Sequence, residues 1–535
     1  MAVKLEIFDS TLRDGAQGEG ISFSVKDKLK VVKALCELGI PYIEAGNPSS
    51  NKKDIDFFSE LKKVDSKSSK IVAFGSTRRK NTEVSEDLAV KALISAETDV
   101  VAIFGKSWDL HIRDVIKTTF SENLSMIFDT INYLKQQGKE VIYDCEHFFD
   151  GYKSNSEYAL GTIETALKAG ADTIVLCDTN GGSFPDEITE IAKTVIERFP
   201  KIKLGIHCHN DNGLAVANSM AAVEAGAVHI QGTLIGFGER CGNANLSTLI
   251  PNLQIKKRYA LLPEGCLEKL TGISKKIAEI SNVRISSVMP YIGKSAFAHK
   301  AGMHADGVQK NALSFEHMEP ELIGNQRRFL VSEIAGRSIL AEKIKQFDNS
   351  ITRDSEVTAK IIEKLKELEF SGYQFDGAEG SFELIIKKAL GQYSPFFKLI
   401  NYTIVCENPR ILNTSDRATI KIEVNGQTEI TAAEGNGPVN ALDKALRKAL
   451  YRFYPQLENI ALTDYKVRVL EGTGATESKV RVLIDTTDGE KTWTTIGVST
   501  DIIEASFHAL VDSLEYKLTN NFEDLEGGAL QEKEV

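Results

Sequence analysis

Between residues 4 and 255 the chain alternates short apolar runs with amphipathic stretches. The runs fall at Lys4–Phe8, Tyr42–Ala45, Ile71–Phe74, Val100–Phe104, Glu140–Asp144, Thr173–Cys177, Lys203–His207 and His229–Thr233. Most are rich in Ile and Val and too short for a helix, the pattern of strands covered on both faces. Between them, Val25–Leu38, Leu88–Ala96, Glu157–Lys168 and Gly213–Glu224 carry apolar positions at helical spacing. Glycines at Leu38-Gly39, Ala169-Gly170 and Ala225-Gly226 mark helix ends, because glycine takes the left-handed turn that closes a helix. The repeat is roughly 30 residues, the length of one strand–helix unit. Eight such units predict an α/β fold, a TIM (β/α)8 barrel, rather than an open doubly wound sheet.

After Pro251 the pattern changes. Leu267–Ile280, Val357–Glu369 and Phe382–Leu390 predict helices, which makes a mostly helical linker region. From about Tyr402 the chain turns β-rich. Strands are expected at Asn401–Cys406, Arg417–Val424 and Gln427–Ala433, then a helix with Pro438 in its first turn. Leu462–Leu470, Lys479–Thr486 and Lys491–Ser499 repeat that order before a helix opening at Asp501. Strand-strand-strand-helix twice is an internal duplication, and it predicts a C-terminal α+β domain. The expected divisions are a barrel over 1–265, the linker over 266–395, the duplicated domain over 396–520 and an acidic, unstructured tail over 521–535.

Composition adds exclusions. The chain has 535 residues, too many for one ordinary domain. A net charge of −11 argues against a nucleic-acid surface. No apolar run approaches the roughly 18 residues a membrane helix needs. The first residues enter a strand pattern at once, so neither a signal nor a transit peptide is expected. Seven scattered cysteines include no C-x-x-C pair, which points away from a zinc knuckle or a disulfide framework and towards a reducing cytoplasm.

A TIM barrel works at the C-terminal ends of its strands, so chemistry-bearing residues should cluster there. They do: Asp9-Ser-Thr-Leu-Arg13-Asp14-Gly15, Glu44-Ala-Gly46, Asp144-Cys-Glu146-His147, Asp178-Thr179-Asn180, His207-Cys208-His209 and Gly238-Glu239-Arg240-Cys241-Gly242-Asn243. His207 and His209 point the same way from one strand end, either as two metal ligands or as packed histidines. Asp14 alone is an ordinary turn residue, but with the histidines it makes a two-His-one-carboxylate set suited to Mn2+, Mg2+ or Zn2+. Asn243 offers a carbonyl oxygen to the same ion, or serves the turn beside Gly242. Arg13 is placed to hold a carboxylate or polarise a carbonyl, or to pair with Glu44 at the rim. Glu146 reads as a general base or as a loop carboxylate. Thr179 binds a ligand carboxylate or caps the following helix. Cys241 reads as a small filler.

These motifs, in this order across the barrel, resemble the acyl-CoA condensing branch of metal-dependent TIM barrels, the 2-isopropylmalate, homocitrate and citramalate synthases. The resemblance implies a divalent metal at Asp14, His207 and His209 with Asn243 close or ligating, and a 2-oxo acid handled by Arg13, Glu44 and Thr179. It extends to Gly293-Lys-Ser-Ala-Phe-Ala-His299-Lys-Ala-Gly302-Met-His304. In that family the second histidine of this segment, here His304, reaches a barrel mouth from the partner subunit, and with Glu146 it would take the proton from acetyl-CoA. Without the family, the segment reads as a helix start with two incidental histidines. The C-terminal domain resembles the regulatory dimerisation domain of the same enzymes, which implies a homodimer and an amino-acid effector; a plain dimer platform is the alternative.

Phe104-Gly-Lys106-Ser-Trp-Asp-Leu-His111 and Gly372-Tyr-Gln-Phe-Asp-Gly-Ala-Glu-Gly-Ser-Phe look like the citramalate-forming branch. That branch implies pyruvate and acetyl-CoA as substrates and isoleucine as effector. Phe104 and Tyr143 are the bulky strand-end residues expected to close a small pocket. Lys106, Arg78 and Arg79 keep open a substrate with a second carboxylate, and 2-isopropylmalate synthesis remains a further option. Lyases of the hydroxymethylglutaryl-CoA type share the Arg-Asp and His-x-His motifs and use a cysteine in a glycine-rich loop, so Cys241 invites that comparison; the duplicated C-terminal domain argues against it. A metal-dependent sensor is a third possibility, but it needs no Arg13, Glu146 and His304 at one mouth.

Overall fold

The computed structural model describes residues 4–50, 52–64, 66, 69–300, 302–329, 355–375, 377–406, 416–470, 478–489 and 491–531. Its contacts divide it into two compact units, residues 1–297 with 319–327, and 298–318 with 328–535. The stretch expected as a linker, 266–395, is shared between them.

The first unit is a closed barrel of eight parallel strands in sequence order. They are β1 Glu6–Asp9, β2 Tyr42–Gly46, β3 Lys70–Ser76, β4 Val100–Lys106, β5 Glu140–Glu146, β6 Thr173–Asp178, β7 Leu204–Cys208 and β8 His229–Gly232, and β8 pairs with β1 to close the ring. Helices α1 Val25–Leu38, α2 Lys52–Leu61, α3 Leu88–Ser95, α4 Phe120–Gln136, α5 Phe148–Ser154, α6 Ser156–Lys168, α7 Pro185–Arg198 and α8 Ala215–Ala225 fill the connections. The capping devices are local. Ser24 and Asp27 form a reciprocal capping box at the start of α1, and Gly39, at φ 80°, ends it in the left-handed conformation read from the sequence. Short α9 Leu246–Pro251 follows the barrel, and α10 Leu270–Ile280 packs on α1.

Alternation along each strand sorts the side chains. Phe8, Tyr42, Val72, Val100, Ala102, Ile142, Val175 and Cys177 form the packed barrel interior. Below them, at the N-terminal ends, polar residues close the floor. Lys203 meets Glu6 at 2.6 Å, Lys70 meets Glu140 at 2.5 Å, Tyr42 donates its hydroxyl to Glu140 at 2.8 Å, and the fully buried His229 lies 3.6 Å from Glu6. Above the apolar layer the same inward positions become Glu44, Phe74, Phe104, Asp144, His207 and Gln231.

The second unit opens with two short paired strands, β9 Ala298–His299 and β10 Arg328–Phe329, and with α11 Gly302–Lys310. Helices α12 Glu356–Phe370 and α13 Glu379–Ala389 precede the duplicated part. The first repeat is an antiparallel sheet, β11 Lys398–Val405, β12 Asp416–Val424 and β13 Gln427–Gly435, followed by α14 Pro438–Tyr451. The second is β14 Ala461–Val469, β15 Val480–Thr487 and β16 Thr492–Ser499, followed by α15 Ile502–Gln531. The duplication extends to its irregularities: each repeat breaks register early in its first strand, between Leu399 and Asn401 and between Leu462 and Asp464. Inward residues of β12, Ala418, Ile420, Ile422 and Val424, pack on Leu442, Leu446 and Leu450 of α14. In the second repeat, Val482 and Ile484 pack on Ala505, Ala509 and Leu510. Its other face is covered as well, with Ile496 against Ile361 and Leu365 of α12 and Phe382 and Ile386 of α13.

One expectation changes here. The backbone of α15 stays helical to Gln531, through most of the segment read as an unstructured tail: acidity alone does not break a helix, and the good helix formers Glu, Leu, Ala and Gln flank the Gly527-Gly528 pair. Residues 532–535 lie outside the described residues.

The floor makes a pH prediction. Burial alone would raise the Glu6 carboxyl, but the neighbouring His229 ring and Lys203 ammonium outweigh it and bring it from 4.5 down to about 2. A carboxylate with a depressed folded-state pKa stabilises fully above its unfolded value, and that contribution fades as pH falls from about 4.5 towards 2. Glu6→Gln is expected to cost roughly 1–3 kcal/mol in urea unfolding at pH 7, with the gap to wild type narrowing below pH 4.5. An equal gap at pH 7 and pH 3.5 would rule out this origin.

Candidate active site at the barrel mouth

The turn after β1 folds back on itself. Thr11 N–H donates to Asp9 Oδ1 at 2.9 Å, Asp14 N–H to Ser10 Oγ at 3.2 Å and Gly15 N–H to Ser10 O at 3.0 Å. This tight loop brings Arg13 and Asp14 over the barrel axis. Glu44, on β2, is fully buried behind them and accepts hydrogen bonds from Ser10 Oγ and from Arg13 Nε, the latter at 2.8 Å. Arg13 Nη1 reaches Asp14 Oδ2 at 2.8 Å, and its guanidinium lies 3.9 Å over the Phe74 ring. Two carboxylates and one ring face therefore fix the plane of the guanidinium.

His207 and His209, two apart at the end of β7, both face the axis, while Cys208 between them turns outward into the helix layer and is buried. His207 Nε2 lies 3.6 Å and His209 Nε2 3.9 Å from Asp14 Oδ2. One ligand atom from each of the three residues falls within 4.8 Å of the others, and all three residues are buried. Among the described residues this is the one His, Cys, Asp or Glu group close enough to share an ion. Asn243 bridges by backbone to His209 and donates Nδ2 to Asp14 Oδ1 at 3.0 Å. Its own Oδ1 is buried without a hydrogen-bond partner, an oxygen left over for a cation. Gly238 is needed beneath it: a Cβ there would fall 2.1 Å from Asn243 Nδ2.

Burial sets the protonation of this group. It lowers His207 to about 3, against the pull of Asp14, and it lowers His209 as well. It would raise Asp14, but Arg13 and the two histidines outweigh it and hold that carboxyl well below the usual carboxylate range. At neutral pH the set is two neutral imidazoles and one carboxylate, the state in which a divalent ion is bound without releasing protons. The residues present fit such an ion.

Beside this group lies a cavity of about 230 Å³ lined by Arg13, Asp14, Phe74, Phe104, Asp144, Glu146, Cys177, Thr179 and the two histidines, among others. Thr179 Oγ1 accepts the His147 backbone N–H at 2.8 Å, which leaves its own hydroxyl proton to donate elsewhere. Glu146, on the last turn of β5, contacts the Lys106 ammonium from β4. Glu44 does not line the cavity; its influence on a ligand runs through Arg13. His304 belongs to the second compact unit, where it is exposed on α11 with its ring stacked 4.1 Å from Phe315. Cys241 is exposed on its glycine-rich loop.

Two pocket expectations need correction or addition. Tyr143 does not close the pocket. It lies on the outward parity of β5, fully buried, and packs against Gly105, where a Cβ would come within 2.5 Å of its hydroxyl. Phe74 takes that place instead, its ring stacked 5.5 Å from Phe104. Asp144, placed at a strand end by the sequence but given no role there, and Cys177, not singled out by it, also line the mouth. Burial pushes Asp144 up to about 8, with Glu44 adding to the rise. Arg78 is occupied by Asp129 and Glu122, at 2.8 Å each, and is not part of the cavity.

The chain is similar to known proteins over its whole length. Residues 4–277 match an HMGL-like family model, residues 291–372 a homocitrate synthase post-HMGL domain-like model, and residues 376–518 a LeuA allosteric (dimerisation) domain model. An (R)-citramalate synthase of Aquifex aeolicus is 53% identical over 98% of this chain and 99% of its own. An (R)-citramalate synthase of Synechocystis is 50% identical over 96% of each. A 2-isopropylmalate synthase of Methanocaldococcus jannaschii is more distant, 29% identical over 96% of this chain and 94% of its own.

The ligand geometry is testable by itself. Calorimetric titration of chelator-treated protein with Mn2+ should show one ion per chain. His207→Ala is expected to weaken binding by more than about 100-fold, since losing even an outer-shell partner costs about 10–100-fold. Affinity at the wild-type level in that variant would remove His207 from the ligand set.

Proposed function

The chain belongs to the family of (R)-citramalate synthases, and on that premise we propose that its barrel mouth joins pyruvate to acetyl-CoA, releasing citramalate and free CoA. The observation that carries this reading is the small cavity beside Arg13 and the Asp14–His207–His209 group, walled by the stacked rings of Phe74 and Phe104. Such a wall suits the methyl group of pyruvate. The isopropyl group of 2-oxoisovalerate is bulkier against the same rings, and Arg78, tied to Glu122 and Asp129 outside the cavity, is not placed to take a second substrate carboxylate.

Asp14, His207 and His209, with Asn243 beside them, would hold a divalent cation, Mn2+, Mg2+ or Zn2+, which would supply Lewis-acid polarisation of the 2-oxo acid. Arg13, held in plane by Glu44 and Asp14, turns its remaining N–H groups to the substrate carboxylate and to the charge that grows on the keto oxygen. Thr179 donates its hydroxyl to the same carboxylate. Glu146, working with His304, takes a proton from the acetyl methyl group. The resulting carbon nucleophile adds to the keto carbon of pyruvate, whose C=O π electrons pass to the oxygen beside Arg13, and that oxygen takes up a proton to become the product hydroxyl. Water then cleaves the thioester, giving the new carboxylate and the CoA thiol, and this hydrolysis draws the reaction forward.

By the resemblance of its segment to the condensing synthases, His304 is assigned to the barrel mouth of the partner subunit in a homodimer. The match of residues 376–518 to an allosteric and dimerisation domain supports both the dimer and an amino-acid effector, for which we propose isoleucine, the end product expected to restrain this step. No helix among the described residues is long and apolar enough to cross a membrane, in keeping with a cytoplasmic enzyme.

Two experiments test the reading. Release of free thiol from acetyl-CoA should be fastest with pyruvate in a panel of 2-oxo acids, and isoleucine should inhibit it more than leucine or valine. Phe104→Ala should raise the rate with 2-oxoisovalerate relative to pyruvate by about 10-fold or more. Equal wild-type rates with both acids would overturn the substrate, and indifference to all three amino acids the effector. In the second experiment, the inactive Glu146→Gln and His304→Ala proteins are mixed and allowed to exchange subunits. Activity should return to about a quarter of wild type, because half the dimers are mixed and each mixed dimer holds one intact site; no recovery in proven mixed dimers would place both residues in one subunit's site.

A further inference from the structure

His207 has a partner that the metal group alone does not explain. Its Nδ1 lies 2.9 Å from Oε1 of Gln231, and Gln231 Nε2 donates to Asp144 Oδ1 at 3.1 Å. The three residues come from β7, β8 and β5 and lie in the inward layer just above the apolar core. Strand register brings the first two together: His207 pairs directly with Gln231 across β7 and β8. Gln231 is fully buried, so no water competes for its amide.

We propose that Gln231 is a positioning residue that fixes the tautomer of His207, and that Asp144 fixes the direction of the Gln231 amide. The logic is one of donors and acceptors. A carbonyl oxygen facing Nδ1 requires the proton on Nδ1, which leaves the lone pair on Nε2, the nitrogen 3.6 Å from Asp14. Were the amide reversed, its NH2 would face Nδ1, the ring would carry its proton on Nε2, and that proton would point at the ion position. Asp144 supports the observed direction, its Oδ1 accepting from the amide NH2. His209 has no such support: its Nδ1 is buried without a hydrogen-bond partner. The relay therefore distinguishes the two histidines and makes His207 the ligand that is prepared before any ion arrives. This inference rests on the ligand role proposed for His207. Gln231 itself is not among the cavity-lining residues and acts through that ring.

The test reads the ring directly. In chelator-treated protein labelled with 15N-histidine, His207, assigned by the loss of its signals in His207→Gln, should carry its proton on Nδ1. Gln231→Met, close in volume but without an acceptor, should shift it towards the Nε2–H form and weaken Mn2+ binding by about 10–100-fold in calorimetry. Asp144→Leu should move both readouts the same way while leaving Gln231 in place. Asp144→Asn, whose amide can accept from the Gln231 NH2 or donate to its carbonyl oxygen, no longer fixes the direction and should fall between wild type and Asp144→Leu in both readouts. If Gln231→Met does not fold, Asp144→Leu carries the test, with Asp144→Asn ordered between it and wild type. A His207 ring that keeps its proton on Nδ1, with Mn2+ affinity unchanged in Gln231→Met or Asp144→Leu, overturns the proposal. If wild-type protein binds Mn2+ but His207→Gln binds it equally well, the ligand role fails instead, and the two failures are distinct.

Discussion

Burial of charge at the barrel mouth is the constraint on which the site depends. A carboxylate, a guanidinium and two imidazoles are taken out of water within a few ångströms of one another, and each is settled by its neighbours. Arg13 would be costly alone, yet it lies between Glu44 and Asp14 with a ring beneath it. Asp14 keeps its charge because Arg13 is there, and the histidines lose theirs because the site is dry. The result is a donor set already in its binding state. An orphaned oxygen on Asn243 marks the remaining demand for positive charge.

The barrel supplies the rigidity this needs. Its inward positions stack as an ionic floor, an apolar middle and a polar mouth, so ligands and pocket wall stand on packed side chains rather than on loops. The loops that carry Arg13 with Asp14 and Asn243 are the exceptions; the first is pinned by its own hydrogen bonds and by Glu44, and Asn243 is tied to it through Asp14. The second unit repeats one strand-strand-strand-helix plan twice but uses the copies differently. In one copy the helix covers one sheet face; in the other, α12 and α13 cover the second face too.

Much of this was legible in the sequence, for physical reasons. Each barrel strand lies within about two residues of its expected ends at most edges, because a strand buried on both faces leaves a dense apolar run. Asp14, His207, His209 and Asn243 come together because motifs at successive strand ends converge on one mouth. What the sequence hid was set by relations between strands. Tyr143 and Phe74 are both aromatic and near strand ends, and only the inward or outward parity separates them. Gln231 and Cys177 look ordinary until the ladder pairs each of them with His207. Strand-end parity, counted from His207 or from the apolar core, was the signal available to find them. Glu44, read both as a partner of Arg13 and as a substrate residue, stands in the first of those places, behind Arg13. Acidity suggested a loose tail where the backbone is helical.

The same alternation limits how such a protein can change over time. A single inserted or deleted residue within β7 would turn the strand over, sending Ile206 and Cys208 to the axis and both histidines into the helix layer. No compensating substitution nearby restores two ligands at once. Descendants of this barrel are therefore free to lengthen their loops and to exchange wall residues such as Phe74 and Phe104, altering what is accepted, while the spacing inside each strand is inherited unaltered. Diversification by substitution is open to it, and diversification by frame of strand is closed.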